Sequence, residues 1–294
     1  MKLEIPQLTS YGDIWQLGDN NLLLCADCTN SRAMRILMGG EQADLVFTSP
    51  PYDRQRSYGG LEFDWTDLMA GMTKALILKE DGQLLVNLGL VHEQGEWKPY
   101  WEEWIENART IGYRRFAWYI WNQGEGLPGD WNGRLAPCFE FVFHFNKRSR
   151  TPNKIVPCKS VGQKQHGPGI KGREGVAVQE KTHAGREIQP FKIPNAVINQ
   201  TREQRAGLPT QHPAVFPVGL PRFIMEAFSQ PGELIVDPMA GSGTTLLAGE
   251  ECGRKVRAME INPEYCDIAL ERYSSEYGEV KRLGNILRHL EEAA

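Results

Sequence analysis

The sequence predicts an α/β protein with a Rossmann-like fold, a mostly parallel sheet covered by helices on both faces. Two observations predict it. Short apolar runs alternate with segments of helical spacing over most of the 294 residues, which is typical of parallel strands joined by crossover helices. In addition, the apolar run Glu233–Pro238 enters a helix through the glycine-rich turn Met239–Thr245. A chain of this length with 41% hydrophobic residues can bury a large core.

The first half of the chain contains repeated strand and helix patterns. A hairpin-like stretch at 14–20 precedes the apolar run Leu22–Cys25, and Ala43–Phe47 is a strand that stops at Thr48–Tyr52. Apolar spacing predicts helices at 31–38, 64–79 and 100–111, and strands at 83–88 and 116–122. Cys138–Phe145 alternates apolar and polar residues and gives the best strand pattern in the chain.

The stretch 146–210 interrupts this pattern. It is rich in Gly, Pro, Lys, Arg, Gln and Thr, and we expect an insertion that orders on a ligand rather than on a core. Between Asn146 and Arg205 lie 13 Lys or Arg and 4 Asp or Glu, a net charge of +9 against −13 for the rest. Such a segment fits a polyanion-binding surface or a solvated, flexible insertion. Regular alternation resumes with a helix at 222–229, strands at 233–238 and 255–260, and helices at 246–252 and 263–273.

Several classes of protein are disfavoured by the composition. No apolar run is long enough to cross a bilayer, and Met1–Ser10 does not resemble a signal peptide, so we expect a cytoplasmic protein without membrane contact. Cys25 and Cys28 form a CxxC, but they follow an apolar strand pattern and favour buried, reduced thiols. The histidines show no ligand-like spacing, and we predict no metal.

The glycine-rich turn is the first motif that indicates chemistry. In Asp237–Thr245 a strand leads through Gly-Ser-Gly into a helix, so the backbone can turn tightly and approach a ligand. The next strand ends at Glu260, where an acid can bind both hydroxyls of a ribose. Together they predict a site for a nucleoside-bearing cofactor; the turn alone could be a simple helix start.

The second motif is the turn Thr48–Tyr52. Pro50 and Pro51 fix φ and stiffen the backbone. Ser49 and the carbonyl of Pro50 offer two hydrogen-bond acceptors, and Tyr52 offers an aromatic face. This arrangement suits a planar substrate with an NH₂ group, whose delocalised lone pair must be exposed for attack. In isolation such a sequence is most often an ordinary turn.

In this order the two motifs resemble those of the beta-class DNA amino-methyltransferases. That family has an (Asp/Asn/Ser)-Pro-Pro-Tyr catalytic motif, then a target-recognition region, then Asp-Pro-Phe-x-Gly-Ser-Gly-Thr-Thr. Here Met239 stands where Phe is common. The resemblance implies a seven-stranded sheet with one antiparallel strand, of which Cys138–Phe145 belongs to the reversed pair. It also implies S-adenosylmethionine as cofactor, double-stranded DNA as substrate and a possible homodimer.

The resemblance further assigns domains and residues. The catalytic domain comprises 1–145 and 211–294, and the target-recognition insertion comprises 146–210. The catalytic residues implied are Ser49, Pro50, Pro51 and Tyr52. The cofactor-binding residues implied are Asp27, His212, Asp237, Ala240, Gly241, Ser242, Gly243, Thr244 and Glu260. Candidates for DNA phosphate contacts are Lys147, Arg148, Arg150, Lys154, Lys159, Lys164, Lys171 and Arg173.

The target base stays open at this point. Ser-Pro-Pro-Tyr is commoner among family members that act on N4 of cytosine, whereas Asp or Asn in place of Ser is commoner among N6-adenine enzymes. We therefore favour cytosine slightly over adenine. An RNA or protein-amide methyltransferase, which would use a similar turn, and a silent DNA-binding scaffold are the remaining alternatives.

Overall fold

The structure is a computed structural model that describes residues 8–52, 63–126, 129, 131–164, 186–201 and 216–287. The helices are α1 (Ser31–Met38), α2 (Trp65–Ala75), α3 (Glu102–Thr110), α4 (Gly219–Phe228), α5 (Thr244–Glu251) and α6 (Pro263–Tyr277). The strands are β1 (Asp13–Leu17), β2 (Asn21–Cys25), β3 (Ala43–Thr48), β4 (Leu78–Leu88), β5 (Val91–Glu93), β6 (Glu96–Lys98), β7 (Arg114–Asn122), β8 (Phe139–Asn146), β9 (Val156–Pro157), β10 (Phe191–Lys192), β11 (Val197–Asn199), β12 (Leu234–Asp237), β13 (Lys255–Glu260) and β14 (Val280–Asn285). Among these described helices, none has the length and apolar character needed to cross a membrane.

Ten of the described strands form one sheet in the order β11-β7-β8-β4-β3-β12-β13-β2-β1-β14. The five strands from β4 to β2 are parallel neighbours. Strand β8 runs antiparallel to both β4 and β7. The seven strands from β7 to β2 are therefore the predicted sheet with one reversed strand, and the predicted strand Cys138–Phe145 is β8.

Three strands extend this sheet beyond the predicted seven. Antiparallel β1 and β14 lie at one edge, and β11 lies parallel to β7 at the other. Strand β14 has no apolar alternation and is mostly exposed. Its sequence therefore does not mark it as a strand, and it is defined by its pairing with β1.

Helices cover both faces of the sheet. The apolar sides of α1, α2 and α3 pack on one face, and those of α4, α5 and α6 pack on the other. Strand β3 supplies both cores, because Val46 faces the first and Leu45 and Phe47 face the second. This burial on both faces confirms the prediction from the continuous apolar strands.

The stretch predicted to lack core contacts is anchored at both of its described ends. Near its start, the Asn153 side-chain amide donates to the carbonyls of Glu226 and Ser229 at the end of α4. Near its end, Ile198 in β11 is buried in the core beneath α4. The expectation of order on a ligand alone is therefore wrong for these two ends. Their core contacts come from isolated apolar residues, Ile155 and Ile198, which leave no periodic pattern.

Candidate active site

A cleft of about 730 Å³ lies at the carboxyl ends of the parallel strands, where β3 and β12 are neighbours although they are distant in sequence. Ligands of open α/β sheets bind at such an edge. Both motifs face this cleft. Of the predicted residues, those lining it are Asp27, Ser49, Pro50, Pro51, Tyr52, Ala240, Gly241, Ser242, Thr244 and Glu260.

The glycine loop between β12 and α5 takes the conformation that its glycines allow. Gly241 and Gly243 have φ values of 52° and 78°, in the left-handed region. A side chain at Gly243 would come within 2.7 Å of the Cβ of Ala269, so this glycine lets α6 pack closely behind the loop. From α6, the Arg272 guanidinium donates to the Ser242 carbonyl and hydroxyl at 2.5 and 2.7 Å. The loop is thus rigidly supported from behind.

Asp237 supports the same loop. Its side chain is buried, and it accepts hydrogen bonds from the Met239 amide at 3.2 Å and from the Thr245 hydroxyl at 2.5 Å. Burial raises the pKa of the carboxyl to about 6. In this position Asp237 shapes the turn from behind the lining of the cleft, as Gly243 does.

Glu260 connects the end of β13 to the loop. Its two carboxylate oxygens accept from the backbone amides of Gly241 and Asn262 at 2.8 and 2.9 Å. Burial raises the pKa of this acid to about 7, and the nearby charge of Asp237 adds to the effect. Each carboxylate oxygen has a second lone pair, so the acid can also accept hydrogen bonds from a pair of vicinal hydroxyls.

Asp27 lies beside Glu260 on the wall formed by the end of β2. One of its oxygens, Oδ1, accepts from both the amide and the hydroxyl of Thr29, at 2.8 and 2.9 Å. These contacts fix the carboxylate at the cleft. The neighbouring thiols of Cys25 and Cys28 are free and buried, and burial raises the pKa of Cys28. The CxxC is therefore a pair of reduced core residues, as predicted.

These features fit an adenosyl cofactor. The cleft has the size of sites for small organic ligands. A buried acid, Glu260, faces it at the strand end where a ribose would bind, and the glycine loop leaves its backbone open to close approach. S-adenosylmethionine, when bound, supplies an electrophilic methyl group on a sulfonium.

The opposite wall of the cleft is the turn after β3. The indole of Trp65, buried at the start of α2, donates to the Pro51 carbonyl at 2.7 Å and fixes the turn. The ring of Tyr52 packs directly against Gly89, where an added Cβ would lie 2.8 Å from the ring carbon Cε2. Tyr52 is therefore held against the end of β4, and Trp65 is a core residue.

Sequence reasoning missed a polar cluster that holds the Tyr52 hydroxyl. This hydroxyl donates to Glu140 Oε2 at 2.7 Å, lies 3.3 Å from Ser49 Oγ and accepts from the Asn87 amide at 2.7 Å. Burial and the Glu140 charge raise the pKa of the phenol well above its ordinary value. Asn87 and Glu140 are polar residues inside otherwise apolar strands. Such an interruption is the signal in the sequence that could have indicated this cluster.

Further aromatic side chains line the cleft. Phe216 lies beside the catalytic turn and meets Phe47 edge to face, with the ring centroids 5.9 Å apart. Phe63 and Tyr265 also contribute to the lining. The predicted cofactor residue His212 lies outside the described residues, and Phe216 is the first described residue after it.

Three of the basic residues predicted to contact DNA lie far from the cleft. Strand β8 is antiparallel, so Lys147, Arg148 and Arg150 follow its end at the opposite edge of the sheet, where Asn146 pairs with Gln83. Arg150 is half-buried and bonded to Glu233, with Asp44 at 3.6 Å. These three residues therefore lie away from the cleft, and their phosphate contacts remain a prediction.

The other basic candidates belong to the segment beyond Asn153. The Lys154 ammonium contacts Gln189, while Lys159 and Lys164 are exposed. Lys171 and Arg173 lie outside the described residues. Across the part of the chain that the structure describes, no group of three or more His, Cys, Asp or Glu is arranged to hold a metal ion.

The fold and the cleft define a nucleoside-cofactor-dependent enzyme of the methyltransferase type: the sheet has one reversed strand, and a glycine loop with an acid faces a proline-rich turn. A family model described as "DNA methylase", of the N6/N4 type, matches residues 43–271. The chain belongs to this family and is a DNA methyltransferase that acts on an exocyclic amino group.

Relatives and solved structures agree with this assignment. The orphan methyltransferase M.BamHII of Bacillus amyloliquefaciens is 30% identical over 81% of this chain and 91% of its own length. The methyltransferase M.Cfr9I of Citrobacter freundii is 25% identical over 81% and 83%. The structure of the cytosine-N4-specific PvuII DNA methyltransferase aligns over 87% of this chain and 90% of its own, with 22% identity and a TM-score of 0.62. A putative DNA modification methylase from Thermus thermophilus, complexed with S-adenosylmethionine, aligns over 84% and 93%, with 21% identity and a TM-score of 0.52.

Proposed function

We propose that this enzyme transfers the methyl group of S-adenosylmethionine to N4 of a flipped cytosine in duplex DNA. The observation that carries the proposal is the meeting of both motifs in one cleft, where Ser49 is a lining residue together with Gly241 and Glu260. Asp27 and Glu260 would hold the adenosyl group, and the glycine loop would lie against its ribose and methionine portion.

The catalytic turn would act on the extruded base. The Ser49 hydroxyl and the Pro50 carbonyl accept the two amino hydrogens, which exposes the nitrogen lone pair for attack. The ring of Tyr52 supports the face of the base. Removing a base from the duplex costs a few kcal/mol, and this stacking surface offsets part of that cost.

Cytosine is favoured because the first residue of the turn is Ser49, and because the aligned PvuII enzyme bears the description cytosine-N4-specific. Adenine is the second candidate, since a 23% identical relative is the DNA adenine methyltransferase YhdJ of Escherichia coli. The cleft has room for either base.

DNA contacts would come from the segment 146–210, which we propose as the target-recognition region, apart from its anchored ends. Of the eight predicted candidates for phosphate contacts, we favour Lys154, Lys159, Lys164, Lys171 and Arg173, because the other three lie at the opposite edge of the sheet from the cleft. A homodimer and a cytoplasmic location stay predictions from the sequence.

The test is product analysis. The purified protein is incubated with S-adenosylmethionine and unmethylated genomic DNA, which is then digested to nucleosides for mass spectrometry. We expect N4-methylcytosine from the wild type and none from Tyr52→Ala, which controls for contaminating methylases. Detection of N6-methyladenine would show that the target base is adenine and not cytosine. The absence of any methylated nucleoside would overturn the proposal.

A further inference from the structure

A carboxylate lies beneath the catalytic turn although the turn itself contains none. Strand β8 is antiparallel to its neighbours, so its first residues lie at the same edge of the sheet as the carboxyl ends of β3 and β4. This places Glu140 next to Tyr52, with 2.7 Å between Glu140 Oε2 and the phenol oxygen. The proposed function assigns no role to this acid.

The hydrogen bonds of this cluster have only one consistent direction. An ionised carboxylate cannot donate, so the single hydroxyl proton of Tyr52 points to Glu140. Tyr52 must then accept from Ser49, whose Oγ lies 3.3 Å away. The Ser49 proton therefore points to the Tyr52 oxygen, and the lone pairs of Ser49 Oγ remain available to a substrate amino group.

Asn87 fixes this arrangement. Its side-chain nitrogen lies 2.7 Å from the Tyr52 oxygen and 2.6 Å from Glu140 Oε2, one bond for each amide hydrogen. The reversed amide would bring an oxygen against the carboxylate, which is repulsive. The Asn87 side chain is fully buried, and its Oδ1 has no hydrogen-bond partner among the described residues, so its donors alone orient it.

We propose that Glu140, acting through Tyr52 and Ser49, positions the catalytic hydroxyls and receives the proton that the substrate amino group loses. This inference rests on the proposed function. As the nitrogen–methyl bond forms and the carbon–sulfur bond breaks, the sulfur keeps the bonding electron pair and the nitrogen becomes cationic. Its proton passes to Ser49 Oγ, the Ser49 proton to the Tyr52 oxygen, and the Tyr52 proton to Glu140. The products are the neutral methylamino group and a protonated Glu140.

Few other groups in the described chain can titrate beside this chain of bonds. Tyr100, whose hydroxyl donates to the Gly89 carbonyl at 3.0 Å, is the ionisable neighbour of Tyr52. On β4, the residue in contact with Tyr52 and Glu140 is the uncharged Asn87. On β7, Trp121 lies opposite Glu140. Asp64, Asp67, Lys74 and Glu260 also line the cleft. The role of Glu140 is therefore tested by substituting Glu140 itself.

The first measurement is the single-turnover rate of methyl transfer from pH 5 to 9. Glu140→Gln keeps an acceptor for Tyr52 but cannot take up a proton, and we expect a rate about 100-fold lower, within the range for proton transfer by a positioned group. Glu140→Asp should recover part of the rate, and Tyr52→Phe combined with Glu140→Gln should be no slower than Tyr52→Phe alone.

The second measurement needs no turnover. In the free protein with ¹³Cζ-labelled tyrosine, Glu140→Gln should lower the pKa of the Tyr52 phenol, because the neighbouring negative charge is gone. An unchanged phenol titration, or an active Glu140→Gln with the wild-type rate and pH profile, would overturn the inference alone. An inactive wild type would instead refute the proposed function.

Discussion

The backbone amide of Gly241 donates to Glu260 Oε2 at 2.8 Å and joins the glycine loop to the acid at the end of the next strand. The glycine loop and Glu260 are separated in the sequence, but they form one structural unit. The protonation of Glu260 therefore affects both the position of the loop and its capacity to accept hydrogen bonds from a cofactor.

Cofactor binding should weaken below neutral pH. The pKa of Glu260 in the free protein is raised to about 7 by burial, and ribose hydroxyls bind best to the ionised acid. A group of that pKa is mostly protonated at pH 6 and mostly ionised at pH 8. We expect the Kd for S-adenosylhomocysteine to be about tenfold higher at pH 6 than at pH 8, measured by calorimetry.

Glu260→Gln is the matched control for this effect. It should bind the ligand weakly at every pH, because the amide accepts fewer hydrogen bonds and does not ionise in this range. A wild-type Kd that is constant between pH 6 and 8 would show that the acid is already ionised in the free protein.

Gly89 should be essential for methyl transfer because of its contact with Tyr52. An alanine there would place Cβ 2.8 Å from Cε2 of the ring and displace the ring into the cleft. Gly89→Ala should lower the single-turnover rate at least about tenfold, with cofactor affinity unchanged. Because Tyr52→Ala is itself expected to be inactive, the control is stability: Gly89→Ala should lower the free energy of unfolding of the wild type but not of Tyr52→Ala. An equal loss in both backgrounds would assign the effect to β4 itself.

Much of this fold was predictable because buried parallel strands carry their own pattern. Ala43–Thr48 and Leu234–Asp237 are mostly apolar and fully buried where both faces are covered, and glycines and prolines lie just beyond their ends. The two motifs were predictable for the same reason: each lies directly after such a strand, where an open α/β sheet binds ligands.

The cluster around Tyr52 could not be predicted, since it depends on register. Glu140 reaches the site only because β8 is antiparallel and pairs in a particular register with β4, and Asn87 only because it faces the same side. Sequence periodicity gives neither strand direction nor neighbour. For the same reason, the sequence did not indicate that Arg150 would contact Glu233 at the opposite edge of the sheet.

Arg150 should contribute to stability rather than to DNA binding. It contacts Glu233 and lies 3.6 Å from Asp44, two acids at the amino ends of β12 and β3. Arg150→Ala leaves both acids without this cation, and we expect a loss of about 1–3 kcal/mol in the free energy of unfolding. DNA affinity should be unchanged in salt-dependent binding measurements.

Lys159→Ala with Lys164→Ala is the companion variant. Both lysines are exposed, so stability should be retained, while DNA affinity and the slope of log K against log salt should both fall. If Arg150→Ala instead lowered DNA affinity and the lysine variant lowered stability, Arg150 would be a DNA contact.

His144 forms a buried polar chain across β7, β8 and β4. Its Nε2 lies 2.8 Å from Gln83 Oε1, and its Nδ1 lies 2.9 Å from the Tyr119 hydroxyl. The Gln83 amide nitrogen donates to the carbonyls of Asp81 and Arg148, so its oxygen must accept. Nε2 therefore carries a proton. Because burial keeps the imidazole neutral at neutral pH, Nδ1 is unprotonated and accepts from Tyr119.

The fold should consequently lose stability in mild acid. Burial lowers the pKa of His144 from 6.5 to about 4, so between these values the unfolded chain takes up a proton that the folded chain does not. The stabilising effect is complete above pH 6.5 and decreases as the pH falls towards 4, by about 3 kcal/mol in total. Denaturant unfolding at pH 4.5 and 7.5 should show that His144→Gln reduces the difference between the two free energies. His92→Gln, in the exposed hairpin of β5 and β6, should leave the difference as in the wild type. If His144→Gln also left the difference between the two free energies unchanged, the neutral imidazole with its two hydrogen bonds would not be the group that limits stability in acid.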